Sequence, residues 1–114
     1  MADLVLKGEK TATASAYDLY AVDNDPLPQE GTFDIIIDSQ NQAVCIVEIT
    51  KVSVQPFLQV SADHAFKEGE GDKSLAYWRQ VHEDFFKDCF GEAGLVFTPD
   101  SKVVLEEFRR VYPL

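Results

Sequence analysis

Hydrophobic and polar positions change period several times along this chain, and each change marks an element. Leu4, Val5 and Leu6 form a short apolar stretch that stops at Gly8, which predicts the end of a helix closed by a residue tolerant of left-handed geometry. Lys10 to Ser15 then alternates, with Thr11, Thr13 and Ser15 on one side and Ala12 and Ala14 on the other, the pattern of a strand. Ala16 to Val22 fits a short helix and runs into the loop composition Asp23-Asn24-Asp25-Pro26-Leu27-Pro28. Thr32 to Asp38 is predicted as a strand with Phe33, Ile35 and Ile37 on one face. The polar turn Ser39-Gln40-Asn41-Gln42 joins it to a long strand from Ala43 to Val54. Apolar residues on both sides of that strand (Cys45, Val47, Ile49 against Val44, Ile46, Val52, Val54) predict a central, bent position ended by Pro56.

Ser61 is suited to cap a helix over Ala62 to Glu68, which Gly69 stops. Ser74 to Cys89 carries the strongest helical period, with Leu75, Trp78, Val81, Phe85 and Phe86 at three- and four-residue steps. Leu95 to Thr98 and Val103 to Tyr112 read as closing strands, although Val104, Phe108 and Val111 also satisfy a helical period. Strands interrupted by helices without βαβ alternation predict one α+β domain over residues 1–114 with a mainly antiparallel sheet. With about five strands, closure into a small barrel flanked by short helices removes free edges.

Charge and cysteine usage narrow the partners. Twenty acidic against ten basic residues give a net charge of −10, which opposes duplex DNA and leaves a small nucleoside-like ligand or a short RNA. Cys45 and Cys89 lack a Cys-x-x-Cys spacing and read as reduced thiols, which suits a cytoplasmic protein. His64 and His82 form no zinc-type cluster, so no metal or other cofactor is expected. No apolar run approaches the ~20 residues of a membrane span, and no signal-peptide pattern opens the chain.

Candidate chemistry concentrates in Gly8 to Ser15 and in Glu68-Gly69-Glu70-Gly71-Asp72. By residue type alone, the hydroxyl row is either a solvated strand edge or one wall of a polar cleft. Trp78 is either a core anchor or a stacking platform for a base. His82 is either a buried, satisfied histidine or a catalytic group. Arg79 is a partner for Glu70 or Asp72, or a phosphate ligand, and Asp72 is most simply a cap for the following helix.

These stretches resemble the ASCH-domain family, which has a PUA-like β-barrel. The resemblance rests on Gly8-x-Lys10-Thr11-Ala12-Thr13, on Pro26-Leu27-Pro28 before Gly31, and on Val44-Cys45 through Pro56-Phe57. It is strongest from Glu68 to Asp72 and on through Ser74-Leu75-x-x-Trp78-Arg79-x-x-His82-x-x-Phe85-Phe86, and it ends in Val103-Val104-x-Glu106-x-Phe108 to Tyr112. It implies a cleft between barrel and helices that recognises RNA or a modified nucleoside. Small bacterial members hydrolyse N4-acetylcytidine with a Lys, a Thr and a Glu, and the resemblance carries these roles onto Lys10, Thr13 and Glu68. Thr11, Ser15, Glu70, Trp78, Arg79 and His82 then become substrate-binding candidates. The smallest hydrolases lack the longer acidic motif and the Trp78/His82 helix. Similar proteins of this subgroup also carry a further helical segment ahead of the signature, and a homodimer is among the assemblies left open.

As a hydrolase, Thr13 needs a neutral base within hydrogen-bond reach. Glu9, Glu68, Glu70 and Asp72 favour the ammonium form of Lys10 and suit it better to clamping a substrate oxygen. Glu68, in the last turn of a short helix beside Glu70, is expected to hold its proton more tightly than usual and to act as the acid. The alternatives are a non-catalytic RNA- or nucleotide-binding module and a ribonuclease using Lys10 and Arg79.

Overall fold

The computed structural model describes residues 2–113. In chain order the elements are α1 (Ala2–Leu6), β1 (Ala12–Ala16), α2 (Tyr17–Val22), β2 (Phe33–Ile37) and β3 (Ala43–Pro56). A 3-10 turn (Phe57–Gln59) follows, then α3 (Ala62–Glu68), α4 (Leu75–Glu92) and β4 (Lys102–Tyr112). The four strands pair antiparallel throughout in the order β1-β4-β3-β2 and curl into a half-barrel flanked by the short helices. The α+β class and antiparallel sheet are as the pattern predicts.

The sheet buries both faces, each against different helices. On one face Val103 and Leu105 of β4 and Ala16 of β1 pack with Ala65 of α3 and Trp78, Phe86 and Phe90 of α4. On the other, Cys45, Val47 and Ile49 of β3 and Phe108 of β4 pack under Val5 and Leu6 of α1. Register shifts at Ile46/Val47 and Ile49/Lys51 mark the bend expected in β3, since an extra residue in one strand of a pair increases local twist. Both cysteines are free thiols.

Three expectations are corrected. Leu95 to Thr98 is not a strand. Phe97 turns inward against Phe57, Phe86 and Phe90 while Leu95 and Val96 face out, so the apparent alternation is one aromatic anchor in an unpaired loop. The Phe33, Ile35 and Ile37 face of β2 points outward, each residue more than half exposed, and Ile36 packs inward instead. The inward stripe of α4 runs through Trp78, His82, Phe86 and Phe90, and the spacing-matched Val81 and Phe85 are exposed. A histidine fits that stripe because both its nitrogens are engaged, as the site geometry shows.

Candidate functional site

The end of α3 meets the start of β1, and this junction carries the charged cluster. Ser61 caps α3 by accepting the His64 N–H at 3.1 Å. Gly69 closes the helix at φ +72°, a conformation that glycine reaches without a Cβ penalty. A Cβ on Gly69 would strike the carbonyl oxygen of Glu9, so the helix end and the Glu9–Lys10 backbone can touch only through glycine. The Thr11 N–H donates to the Lys67 carbonyl at 2.7 Å and fixes the approach.

Lys10 therefore enters beneath the helix end, 3% exposed. Its Nζ lies 3.3 Å from the Glu68 carbonyl oxygen, 3.4 Å from Glu68 Oε1 and 3.4 Å from Glu70 Oε1. Glu68 is itself 2% exposed. Its Oε2 accepts a 2.5 Å hydrogen bond from Trp78 Nε1 and lies 3.2 Å from His64 Nε2, in a contact too poorly aligned to count as a hydrogen bond. Its Oε1 also faces His82 Nε2 at 3.4 Å. A carbonyl can only accept, so His82 Nδ1–H donates to the Trp78 carbonyl at 2.9 Å, and Nε2 donates to the carboxylate only when the ring is the doubly protonated imidazolium.

Burial pushes the Glu68 carboxyl pKa up, but the contacts of His64 and His82, the charge of Lys10 and the Trp78 N–H together outweigh it. The net result holds Glu68 well below the usual carboxylate range. This is opposite in direction to the upward shift that the sequence leads one to expect. A seven-residue helix and a half-exposed Glu70 exert a weaker pull than side chains in direct contact with the carboxylate.

Trp78 is buried with both ring faces filled, by Phe57 at 5.4 Å and by His82 at 4.2 Å. A stacking platform for a base needs an open face, and this indole has none. Arg79 does not reach Glu70 or Asp72. One residue of helix turns it about 100° away from Trp78, and it donates to the Leu58 carbonyl at 3.0 Å. Asp72 accepts the Ser74 N–H at 2.9 Å at the start of α4, in the capping role.

The hydroxyls lie elsewhere. Ala12 and Ala16 are buried and Ala14 packs on the α4 side, so Thr13 and Ser15 face the opposite, α1 side of the sheet. There two cross-strand rows lie side by side: Thr13, Glu106 and Val52 in one, Ser15, Val104 and Val54 in the other. In the second row Val54 is 41% exposed while Val104 beside it is fully buried, so only the β3 end of that row reaches solvent. Ser15 Oγ and the Tyr20 hydroxyl, 2.6 Å apart, form one wall. Thr11, Thr13 and Ser15 are all partly exposed. The structure thus brings Lys10, Glu68, Glu70, Trp78 and His82 into one cluster and puts Thr13 and Ser15 on the opposite face of the sheet.

Sequence reasoning passed over His64 and Glu106. The i, i+4 spacing of His64 and Glu68 on one helix face was a usable signal for the first. For the second, the signal was a carboxylate flanked at i±2 by the apolar Val104 and Phe108 on one strand face. Among the described residues no group of three or more His, Cys, Asp or Glu side chains is arranged to hold a metal ion. No helix among them is long and apolar enough to cross a membrane.

Comparison with known proteins bears on these features together. The family model for the ASCH domain matches residues 1–112. The crystal structure of an ASCH domain from Lactobacillus crispatus JV V101 superposes with a TM-score of 0.93 at 43% identity, over 97% of this chain and 70% of that one. A protein from Enterococcus faecalis V583 superposes with a TM-score of 0.88 at 39% identity, over 96% of this chain and 66% of that one. No curated protein matches the sequence.

Proposed function

From its membership of the ASCH domain family, we propose that this chain binds a single nucleoside, or one exposed nucleotide of a short RNA, without hydrolysing it. The ligand lies against the partly exposed margin of the β1–β4–β3 face, where Thr13, Ser15 and Val54 reach solvent. The observation that carries this reading is the division of the candidate residues into a sealed set and a partly exposed set. Lys10 and Glu68 are buried and engaged, whereas Thr13 and Ser15 are partly exposed, Ser15 with its hydroxyl against that of Tyr20.

Hydrolysis needs groups that can exchange protons with a substrate. Lys10 Nζ is engaged by two carboxylates, and Glu68 is held ionised by its surroundings, Lys10 among them. The Lys10–Glu68 pair serves here as a strut that fixes the start of β1 to α3. The accessible part of this face has the composition of a small-ligand site, with Val52 and Val54 beside the Thr13 and Ser15 hydroxyls. Beyond Tyr20 a groove of about 350 Å³ opens between β1, α2 and α4, with Leu19 and Phe85 in its lining. That is within the ~300–1,000 Å³ of small-molecule pockets, and Asp23 and Asp25 in its lining suit an uncharged sugar and disfavour a phosphate.

The second reading is an amidohydrolase acting on N4-acylated cytidine, favoured by the 3.4 Å approach of Lys10 to Glu68. Incubation of the purified chain with N4-acetylcytidine, followed by chromatography, separates the two. No deacetylation is expected from wild type, and Lys10→Ala and Glu68→Gln are expected to lower thermal stability. Turnover by wild type that is lost in both Lys10→Ala and Thr13→Ala, with each variant still folded, establishes the hydrolase instead.

A further inference from the structure

Arg79 has no role in the sealed cluster, and it borders a cavity of its own. The 3-10 turn after β3 and the loop after α4 are tied by their backbones. Phe57 N–H donates to the Ser101 carbonyl at 2.8 Å and Leu58 N–H to the Pro99 carbonyl at 3.1 Å. Between these segments and α4 lies a cavity of about 340 Å³, within the ~300–1,000 Å³ of small-molecule pockets. One wall is apolar, formed by Phe57, Leu58 and Phe97, with the two aromatic rings edge to face at 5.2 Å. The other is charged. Arg79, Glu83 and Lys87 are spaced by four and so stack along one face of α4.

Glu83 lies one helical turn from each cation and pairs with Lys87 at 2.7 Å, in the favoured order of acid before base along a helix. Arg79 is left without an ion pair among the described residues. Its Nη2 donates to the Leu58 carbonyl at 3.0 Å, and its Nε is closed to solvent with no acceptor. A guanidinium carries five N–H donors. A donor shut away from water without an acceptor costs its desolvation, and an anion beside the guanidinium offsets part of that cost.

We propose that this cavity binds a small aromatic monocarboxylate, with the carboxylate on Arg79 and the ring against Phe57, Leu58 and Phe97. A guanidinium presents a planar fork that matches a carboxylate. Two cations and one acid in the lining leave a single net positive charge. That suits one carboxylate, whereas Glu83 repels a doubly charged phosphate and Arg79 and Lys87 repel an amine. Aromatic rings pack edge to face or offset at about 4.5–7 Å, so a ligand ring extends the packing that Phe57 and Phe97 already show. The site shares no residue with the margin of the β1–β4–β3 face and stands whether or not a nucleoside binds there.

The test uses phenylacetate and phenylacetamide, one shape with and without the charge, titrated into the purified chain and followed by amide chemical shifts. Wild type is expected to bind phenylacetate at least about tenfold more tightly, the scale of a hydrogen bond to a charged group. The shifts are expected at residues 57–58, 79–87 and 97–99. Arg79→Gln is expected to bind the two alike, at the affinity wild type shows for phenylacetamide. Equal affinities in wild type, an undiminished preference in Arg79→Gln, or shifts centred elsewhere overturn the proposal. So does the absence of binding by either probe up to about 10 mM. The wild-type comparison needs no variant, so a folding defect in Arg79→Gln does not blunt it.

Discussion

Glu68 and Glu106 show how one side-chain type takes opposite characters on the two sides of one sheet. Glu68 lies among Lys10, His64, His82 and Trp78, and its folded-state pKa is depressed below the ordinary 4.5. A carboxylate of that kind contributes stability that is present above its unfolded pKa and lost as pH falls toward the folded one. The Tm of wild type is therefore expected to fall between about pH 5 and about pH 3, and that of Glu68→Gln to fall less over the same range. At neutral pH, Glu68→Gln is expected to cost about 3–5 kcal/mol, because it leaves the Lys10 ammonium buried without its main partner. Thermal melts across that range check both statements. Equal acid slopes for the two proteins show that Glu68 does not carry this stabilisation. Glu106, by contrast, is pushed up by burial and by the charge of Asp34, and among the described residues it forms no ion pair.

At the scale of elements, the junction of α3 with β1 is the piece on which the sealed cluster depends. Two glycines with similar backbone geometry separate conformational strain from close packing. Gly8 has φ +79° with open space where a Cβ would project, and Gly69 has φ +72° with the Glu9 carbonyl there. Gly8→Ala is expected to cost about 1 kcal/mol, the ordinary penalty for a left-handed alanine. Gly69→Ala is expected to cost at least about 2 kcal/mol more, because either α3 or the Lys10 segment has to move. Urea melts of the two variants measure the difference, and equal losses refute the tight junction. The same contrast explains what was legible in the sequence. The caps of α3 were readable because Ser61 and Gly69 act on their own helix. The pairing of β strands is non-local, so the spurious strand at Leu95 and the outward face of β2 were not. The juxtaposition of Lys10 with Glu68 was visible only through family resemblance, and their sealing was not visible at all. It needs Trp78 and His82 from α4 to converge on a carboxylate from α3, and helical spacing gave His82 no sign of that engagement.

Across the whole molecule, the placement of the positive charges decides between a nucleoside and a polymer as ligand. The chain carries ten Lys and Arg residues against twenty acids, and several of the ten are already engaged. Lys10 is sealed, while Lys51, Lys67, Lys87 and Arg109 pair with carboxylates. Arg79 is bonded to a backbone carbonyl, and Lys73 and Lys102 lie over the rings of Phe66 and Tyr17. A track for a phosphate backbone needs several free cations in a row, and each phosphate contact with a single strand steepens log K against log salt by about 0.7. Cytidine is uncharged, so its affinity is expected to stay constant between about 50 and about 500 mM salt. A short single-stranded RNA containing cytosine is expected to bind with a slope shallower than about −1.5, two contacts at most. A slope of about −3 or steeper for that RNA, with no measurable affinity for cytidine, identifies a phosphate-tracking surface and displaces the single-nucleoside reading. The acidic surface itself argues for the first outcome, because its field repels the extended anion and leaves a neutral base at the margin of the β1–β4–β3 face unaffected.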